Sequence, residues 1–216
     1  MTNDYGYTLD TGAAKSAETI GKYIRETGKY KGKFTRAELL ISQAKGSRGI
    51  EFDFLSDEGK ECTLQIWTHS GTGEAYSGIN MVNAIMTCLS LRGIQPKPMV
   101  VEKYDYDSKQ KLRANIEGFG DLMNKPIGLL LQKEISEYQG KDKTKMLIFA
   151  AFNASSEKTA SEIIDKVAQP MALAKLMAGL HDKDARGKTQ AAPSHSAPKA
   201  QHHQAHADFD DDSLPF

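Results

Sequence analysis

The feature that most constrains the fold is a strict alternation of apolar and charged residues at 50–54. Three large apolar residues alternate there with two acids, which is the pattern of a strand with one buried and one solvated face. A turn sequence follows at 56–59, and a second alternating segment covers 62–68. Together these segments predict a β-hairpin in an antiparallel sheet.

The second strand of this hairpin carries the chain's single tryptophan. Leu64 and Ile66 predict the buried face of the strand, so Trp67 shares the opposite face with Thr63 and Gln65. We therefore expect the tryptophan to lie among polar neighbours.

Three further strands and one long helix complete the predicted core. Strands are predicted at 33–41, 127–138 and 145–153, the last two joined by a loop at 139–144. A helix is predicted at 76–91, because apolar residues recur there at intervals of three and four.

Shorter helices are predicted at both ends of this core. Residues 13–27 carry an apolar stripe, and a capping box formed by Thr159 and Glu162 begins a helix that runs to about residue 180, with a break at Pro170. The charged segment 102–113 is predicted to be a loop that leaves the sheet.

The order of three strands, a helix and two strands is that of the OB-fold, a small five-stranded barrel. The sequence thus predicts a mixed, mainly β protein, with a five-stranded OB-fold-like barrel, flanking helices and a disordered C-terminal tail. The expected parts are a disordered N-terminus at 1–12, the OB-fold-like domain at 13–180, a flexible linker at 181–207 and an acidic tip at 208–216.

The linker and the tip differ sharply in composition from the rest of the chain. Residues 181–207 contain no large apolar residue, which is typical of a flexible linker. The tip combines acids with exposed apolar groups and cannot fold alone, so it predicts a peptide that docks into a partner's pocket. A solubilising acidic end is the alternative. The residues expected to bind the partner are Asp210, Asp211, Asp212, Leu214, Pro215 and Phe216.

The last six residues, Asp-Asp-Ser-Leu-Pro-Phe, resemble the C-terminal tip of bacterial and phage single-stranded DNA-binding proteins, which typically ends Asp-Asp-Asp-Ile-Pro-Phe. Ser213 and Leu214 depart from that pattern, and the other four positions match. The segments 28–38 and 49–52 resemble phage members of the group more loosely. The resemblance implies an acidic tip that recruits replication, recombination or repair enzymes of the host or the phage.

Basic and aromatic residues are interleaved in the segment 30–36. Single-strand binding uses this combination, because cations follow the phosphates and ring faces stack on unpaired bases. Strand alternation would place Phe34 and Arg36 together on the face away from the core. The expected DNA contacts are Tyr30, Lys31, Lys33, Phe34, Arg36, Lys45, Arg48 and Trp67.

Two alternatives to this DNA path stay open. Tyr30 and Phe34 could be core residues beside a solvated row of lysines. If the DNA path lies elsewhere, the next candidate is the loop that carries Lys141, Lys143 and Lys145.

No catalytic site, cofactor or metal is expected. Glu51 and Asp53 point the same way and could serve a metal-dependent nuclease, but exposed strand charges are the commoner meaning. The histidines of the linker lack a rigid geometry for a metal. Cys62 and Cys88 are expected to be reduced core residues.

The chain has 28 basic and 28 acidic side chains among its 216 residues, yet these charges are unevenly distributed, because 22–48 is basic and the tip is acidic. With no long apolar run and no signal sequence, we expect a cytoplasmic protein of a bacterial host cell with no membrane contact. The predicted function is sequence-independent single-stranded DNA binding, without enzyme activity. An adaptor or RNA-binding module with the same tail is the alternative, and a nuclease ranks third. The oligomeric state is left open, with a homodimer favoured.

Overall fold

The computed structural model describes residues 8, 9, 11, 21–105, 108 and 110–186. This part of the chain forms eight strands and three α-helices. The strands are β1 (Gly28–Ile41), β2 (Arg48–Ser56), β3 (Glu61–His69), β4 (Lys97–Asp105), β5 (Gln110–Gly118), β6 (Pro126–Tyr138), β7 (Lys141–Phe152) and β8 (Lys183–Asp184). The helices are α1 (Gly78–Cys88), α2 (Ala160–Ile164) and α3 (Ala172–Ala178). The protein is mainly β, as the sequence predicts.

Strand β1 is the centre of the sheet, because it pairs with β2, β5 and β6. One path runs in the order β3-β2-β1-β5-β4, and β6 continues from β1 to β7. The pairings are antiparallel except for the short parallel contact of β8 with β6. Although β7 approaches β3, no ladder joins these two strands among the described residues, and the sheet does not close.

The main core lies between the three-stranded meander β1–β2–β3, strand β6 and helix α1. Phe34, Phe52 and Phe54 are fully buried, and the ring centroids of Phe34 and Phe52 are 4.4 Å apart. From α1, Ile85 and Cys88 complete this cluster. The predicted helix is confirmed with shorter ends, and its apolar stripe is the reason that it packs here.

The expectation that Phe34 faces away from the core is wrong. Phe34 pairs with Phe54 and Arg36 pairs with Asp53, so Thr35 is an extra residue in β1. Such a bulge shifts the alternation by one position. Phe34 and Ala37 consequently both point inward, and the alternative that Phe34 is a core residue is confirmed.

The segment 102–113 is not an irregular loop, as expected, but belongs largely to the antiparallel hairpin β4–β5. Its inner face holds the buried residues Val101 and Ile116. Long charged side chains occupy its outer face, and they obscure the alternation of apolar and polar residues by which a strand is recognised in the sequence.

The two ends of the predicted domain also differ from expectation. Residues 13–20 lie outside the described residues, and 21–27 contain no helix; instead Ile24 is buried and its N–H donates to the Glu61 carbonyl at 2.9 Å. At the other end, 181–186 pass along β6, where the Ala185 N–H donates to the Ile135 carbonyl. The remainder of the predicted linker and the acidic tip lie outside the described residues.

The predicted C-terminal helix is divided into α2 and α3 around Pro170. The capping box at the start of α2 is confirmed, since the Thr159 N–H donates to Glu162 Oε2 at 2.9 Å. The other oxygen of Glu162 accepts the N–H groups of Met171 and Ala172 at 2.6 and 2.8 Å. One buried carboxylate thereby holds the starts of both helices.

Within the described residues, no helix has the length and apolar character needed to cross a membrane.

Candidate nucleic-acid interface

The outer face of β1–β2–β3, which is turned away from the main core, carries directly opposed residues in rows across the strands, and three of these rows lie between the bulge in β1 and the Trp67 end. The register of the strands defines these rows. They are Arg36, Asp53 and Thr63; then Glu38, Glu51 and Gln65; and finally Leu40, Gly49 and Trp67. The first two rows are polar, and the last one is apolar.

Arg36 is the centre of the polar rows. It is only 3% exposed, and its Nε and Nη2 donate to Asp53 and Glu51, each at 2.7 Å. Its Nη1 donates to Glu38. Burial alone would lower the pKa of Arg36, but its hydrogen bonds to Asp53 and Glu51 and the charges of these acids outweigh it and raise the pKa. The structure therefore presents Arg36 to three carboxylates rather than to a phosphate.

The same contacts explain why the pKa of Asp53 is lowered. Burial alone would raise the pKa of Asp53, yet the hydrogen bonds and charge of Arg36, with a hydrogen bond from Thr63, hold this pKa below its ordinary value. Gln65 Nε2 donates to Glu51 Oε2 at 2.6 Å. Glu51 and Asp53 do share a face, as predicted, but Arg36 lies where a metal ion would have to bind. In the described part of the chain, no three His, Cys, Asp or Glu side chains converge on a metal position.

The hairpin β4–β5 lies across part of this outer face. Lys103 Nζ is 2.7 Å from Glu38 Oε2 on β1, and Lys111 Nζ is 3.1 Å from Glu61 Oε2 at the start of β3. These two ion pairs connect the hairpin to β1 and to the start of β3.

Trp67 is half-buried in that apolar row. Its neighbour Gly49 has no side chain, and a Cβ there would lie 2.3 Å from the Ile66 carbonyl oxygen and 3.0 Å from Trp67 Cα. Leu40 completes the row. The backbone of β3 thus lies close against Gly49, and the row presents the half-buried side chains of Leu40 and Trp67.

Two exposed cations lie near this row, at the start of β2. Arg48 begins β2 and pairs with His69 in the register, and Lys45 lies in the preceding loop, which the Gly71 backbone approaches closely. Neither cation forms an ion pair with any residue that the structure describes. The structure therefore brings together three of the predicted contacts: Lys45, Arg48 and Trp67.

The remaining predicted contacts lie at the other end of β1. Tyr30 packs against the core, and its hydroxyl donates to the Glu26 carbonyl at 2.9 Å. Lys33 is exposed and pairs with Leu55 in the register, six residues along β2 from Gly49. At the rise of a strand this separation is about 20 Å. The polar rows lie between the two groups.

Lys31 forms an ion pair with Glu157, an acid that no sequence pattern identifies as its partner. Lys29 and Lys31 Nζ lie 2.9 and 2.7 Å from Glu157 Oε1. Their hydrogen bonds, with that of Lys31 the stronger influence, lower the pKa of Glu157 to about 2. Lys29 could have been found from its two-residue spacing to Lys31 and Lys33, whereas Glu157 is more than 120 residues away in sequence.

The two cysteines are free thiols in the structure. Cys88 is buried and Cys62 is half-buried against the core. Burial raises the pKa of each thiol to about 12. Neither is therefore an activated nucleophile.

A scan against protein-family models finds no match for this chain, and no curated protein matches its sequence.

Proposed function

We propose that the protein binds single-stranded DNA without sequence preference and without catalysis. The observation that carries this proposal is the Trp67 end of the outer face, where a half-buried indole ring lies near two exposed cations, Lys45 and Arg48, that form no ion pair with any described residue. Ring faces stack on any base, and flanking cations hold the backbone. Duplex DNA offers no unstacked base to such a ring.

The strand order supports an elaborated OB-type architecture as part of this proposal. Strands β1, β2 and β3, helix α1, and strands β6 and β7 follow the OB order, and β1 pairs with both β2 and β6. The hairpin β4–β5 is then an insertion after the helix. OB-folds bind oligonucleotides on the face of their second and third strands, and here that face carries Trp67, with Arg48 at the end of β2.

The acidic tip is proposed as the recruiting element. Its resemblance to the ends of single-stranded DNA-binding proteins supports a role in docking replication, recombination or repair enzymes in a bacterial cytoplasm. A terminal Phe with its carboxylate fits capture by a small apolar pocket with a basic rim.

The test compares Trp67→Ala with a matched Tyr23→Ala control, because Tyr23 is also an exposed aromatic residue but lies away from the apolar row. The affinity for oligothymidine is measured by fluorescence anisotropy. Loss of one stacked base should weaken binding by about 1–3 kcal/mol, and the control should change little. In the wild type, Trp67 fluorescence should be quenched by saturating poly-dT.

Two outcomes would overturn the proposal. Equal affinity for a single strand and its duplex would contradict stacking as the basis of binding. Absence of nucleic-acid binding, with capture of repair enzymes still dependent on Phe216, would leave the adaptor alternative.

A further inference from the structure

The hairpin β4–β5 joins the rest of the sheet at its base, where Lys97 pairs with Gly118. Gly118 also pairs with Glu38 of β1, and the register of β5 with β1 contains no other pair among the described residues. The next residue, Phe119, donates its N–H to the Ala37 carbonyl at 2.8 Å. Beyond this base the hairpin is a ribbon of two strands, and such a ribbon has little stability of its own.

Burial of the inner face of this hairpin decreases from the base toward the turn. Directly opposed residues share a face, as do alternate residues of one strand. From the base outward, the pairs on the inner face are Met99–Ile116, Val101–Ala114 and Lys103–Leu112. Ile116 and Val101 are 8% and 9% exposed, whereas Leu112 is 47% exposed. The apolar packing therefore ends between the second and the third of these pairs.

Two ion pairs hold the part of the hairpin beyond this point, which we call the strap (residues 102–105 and 110–113). Lys103 Nζ lies 2.7 Å from Glu38 Oε2 on β1, and Lys111 Nζ lies 3.1 Å from Glu61 Oε2 on β3. The side chains of the two lysines are 38% and 50% exposed. Ion pairs at such exposure are weak and are screened by salt. They therefore hold the strap less firmly than apolar packing holds the base.

The strap contacts the Arg36 cluster, which we define as Arg36 and its three acid partners. Glu38 Oε2 accepts hydrogen bonds from both Arg36 Nη1 and Lys103 Nζ. Arg36 lies on the outer face of the sheet and is nevertheless only 3% exposed, and the strap supplies a contact on that outer side. Thr63 and Gln65, on the same face of β3, are exposed. The cover is thus confined to the side of β1 and β2.

We propose that the strap opens and closes over the Arg36 cluster and that its two ion pairs hold it closed. The hairpin bends between residues 101 and 103 of β4 and between residues 112 and 114 of β5, where the apolar packing ends. The closed strap blocks access to the β1 side of the outer face. Because salt screens both ion pairs, the open fraction rises with ionic strength. Two exposed ion pairs change such an equilibrium by about two- to thirtyfold.

The experiment measures hydrogen exchange of the Arg36 Nε–H by NMR in the full chain. This group donates to Asp53 Oδ2 at 2.7 Å, and water reaches it more readily when the strap is open. The variant that weakens the strap combines Lys103→Gln with Lys111→Gln. Exchange is compared at about 0.02 M and about 0.5 M salt, where the screening lengths differ severalfold.

The matched control is Lys97→Gln with Lys175→Gln. It removes the same charge at two exposed positions, one of them at the base of the hairpin, that form no ion pair within the described residues. The backbone N–H of Phe52, a fully buried residue of β2, reports on unfolding of the whole core. Its exchange rate should be the same in the wild type and both variants.

In the wild type and the control, exchange of the Arg36 Nε–H should be about two- to thirtyfold faster at high salt than at low salt. The strap variant should exchange at the faster rate already at low salt and respond little to added salt. A wild-type rate that does not change with salt, or a strap variant that behaves as the control does, would overturn the proposal. Equal acceleration at Phe52 would also overturn it, because the core rather than the strap would then be opening. No nucleic acid is present, so the outcome is independent of the Trp67 test.

Discussion

Replacing Arg36 with methionine tests whether this arginine is a structural counter-ion. Methionine keeps much of the apolar stem but leaves Glu38, Glu51 and Asp53 without their shared cation. Removal of one partner from a buried ion pair costs about 3–5 kcal/mol. Because Lys103 still neutralises Glu38 and the three carboxylates are 16–28% exposed, we expect a loss near the lower limit, about 3 kcal/mol.

The stability that Arg36→Met loses should become smaller as the pH falls. In the wild type, the lowered pKa of Asp53 contributes stability above its ordinary titration range, and this contribution is lost as the pH falls through the lowered value. In Arg36→Met the three acids repel each other when ionised, so protonation relieves the variant. The difference in stability should therefore shrink between pH 7 and about pH 4.

Urea unfolding followed by Trp67 fluorescence measures this prediction. With a denaturant slope of about 2 kcal/mol/M, the midpoint should fall by about 1.5 M at pH 7, and by clearly less at about pH 4. Lys45→Gln is the control, since it removes an exposed charge without orphaning an acid. A loss below about 1 kcal/mol, or an equal loss at both pH values, would refute the counter-ion role.

Three further predictions follow from single contacts. Glu157→Gln should release the lysines at 29 and 31 and tighten single-strand binding at low salt in an anisotropy titration, whereas unchanged affinity would place the DNA path away from them. Glu162→Gln should lower the melting temperature more than Ser161→Ala does at pH 7. The N–H groups that donate to Glu162 lower its pKa to about 2, so the difference in melting temperature between the two variants should narrow as the pH falls from about 5 to 2. A difference that stays constant over this range would contradict the capping role. Gly128→Ala would place a Cβ 2.0 Å from the Phe152 ring, so urea unfolding should show a decrease of about 1–3 kcal/mol in the free energy of unfolding. Unchanged stability would mean that the ring can move away from the added methyl group.

The helices and strands that could be predicted are those marked by a regular spacing of apolar residues or by a local capping pattern. The alternation at 50–54 predicts β2, the spacing of apolar residues predicts α1, and the capping box predicts the start of α2. Each signal is local, since it depends on residues within one or two turns or one strand. The bounds of the elements moved by a few residues, as expected where ends are set by tertiary contacts.

The features that were missed depend on contacts between distant residues. A single extra residue at Thr35 places Phe34 on the same inward face as Ala37, where uninterrupted alternation predicts the opposite face, and threonine carries no signal for a bulge. The sequence predicts that Arg36 and Glu38 share one face and that Glu51 and Asp53 share another. It does not predict that the two faces meet, because that depends on the register between β1 and β2.

The candidate site was predictable by residue type but not by arrangement. Lys45, Arg48 and Trp67 were selected as cations and a ring, and the structure places them together. Phe34 was selected by the same rule and is buried in the core. Composition identifies residues that could bind a strand, whereas only the fold shows which of them reach its surface.

If the protein binds a nucleic-acid strand as proposed, the polar rows restrict the path of that strand. A straight path along the outer face from Lys33 to the Trp67 end would bring phosphates over three carboxylates and, among the described residues, over two cations, Arg36 and Lys103. Since this stretch is partly buried, repulsion there is less screened than on an open surface. A strand held at Trp67 should therefore turn away toward Lys45 and Arg48 instead of continuing to the lysines of β1. In this proposal, the lysines of β1 would contact another stretch of nucleic acid, and the acidic rows would separate it from the strand held at Trp67.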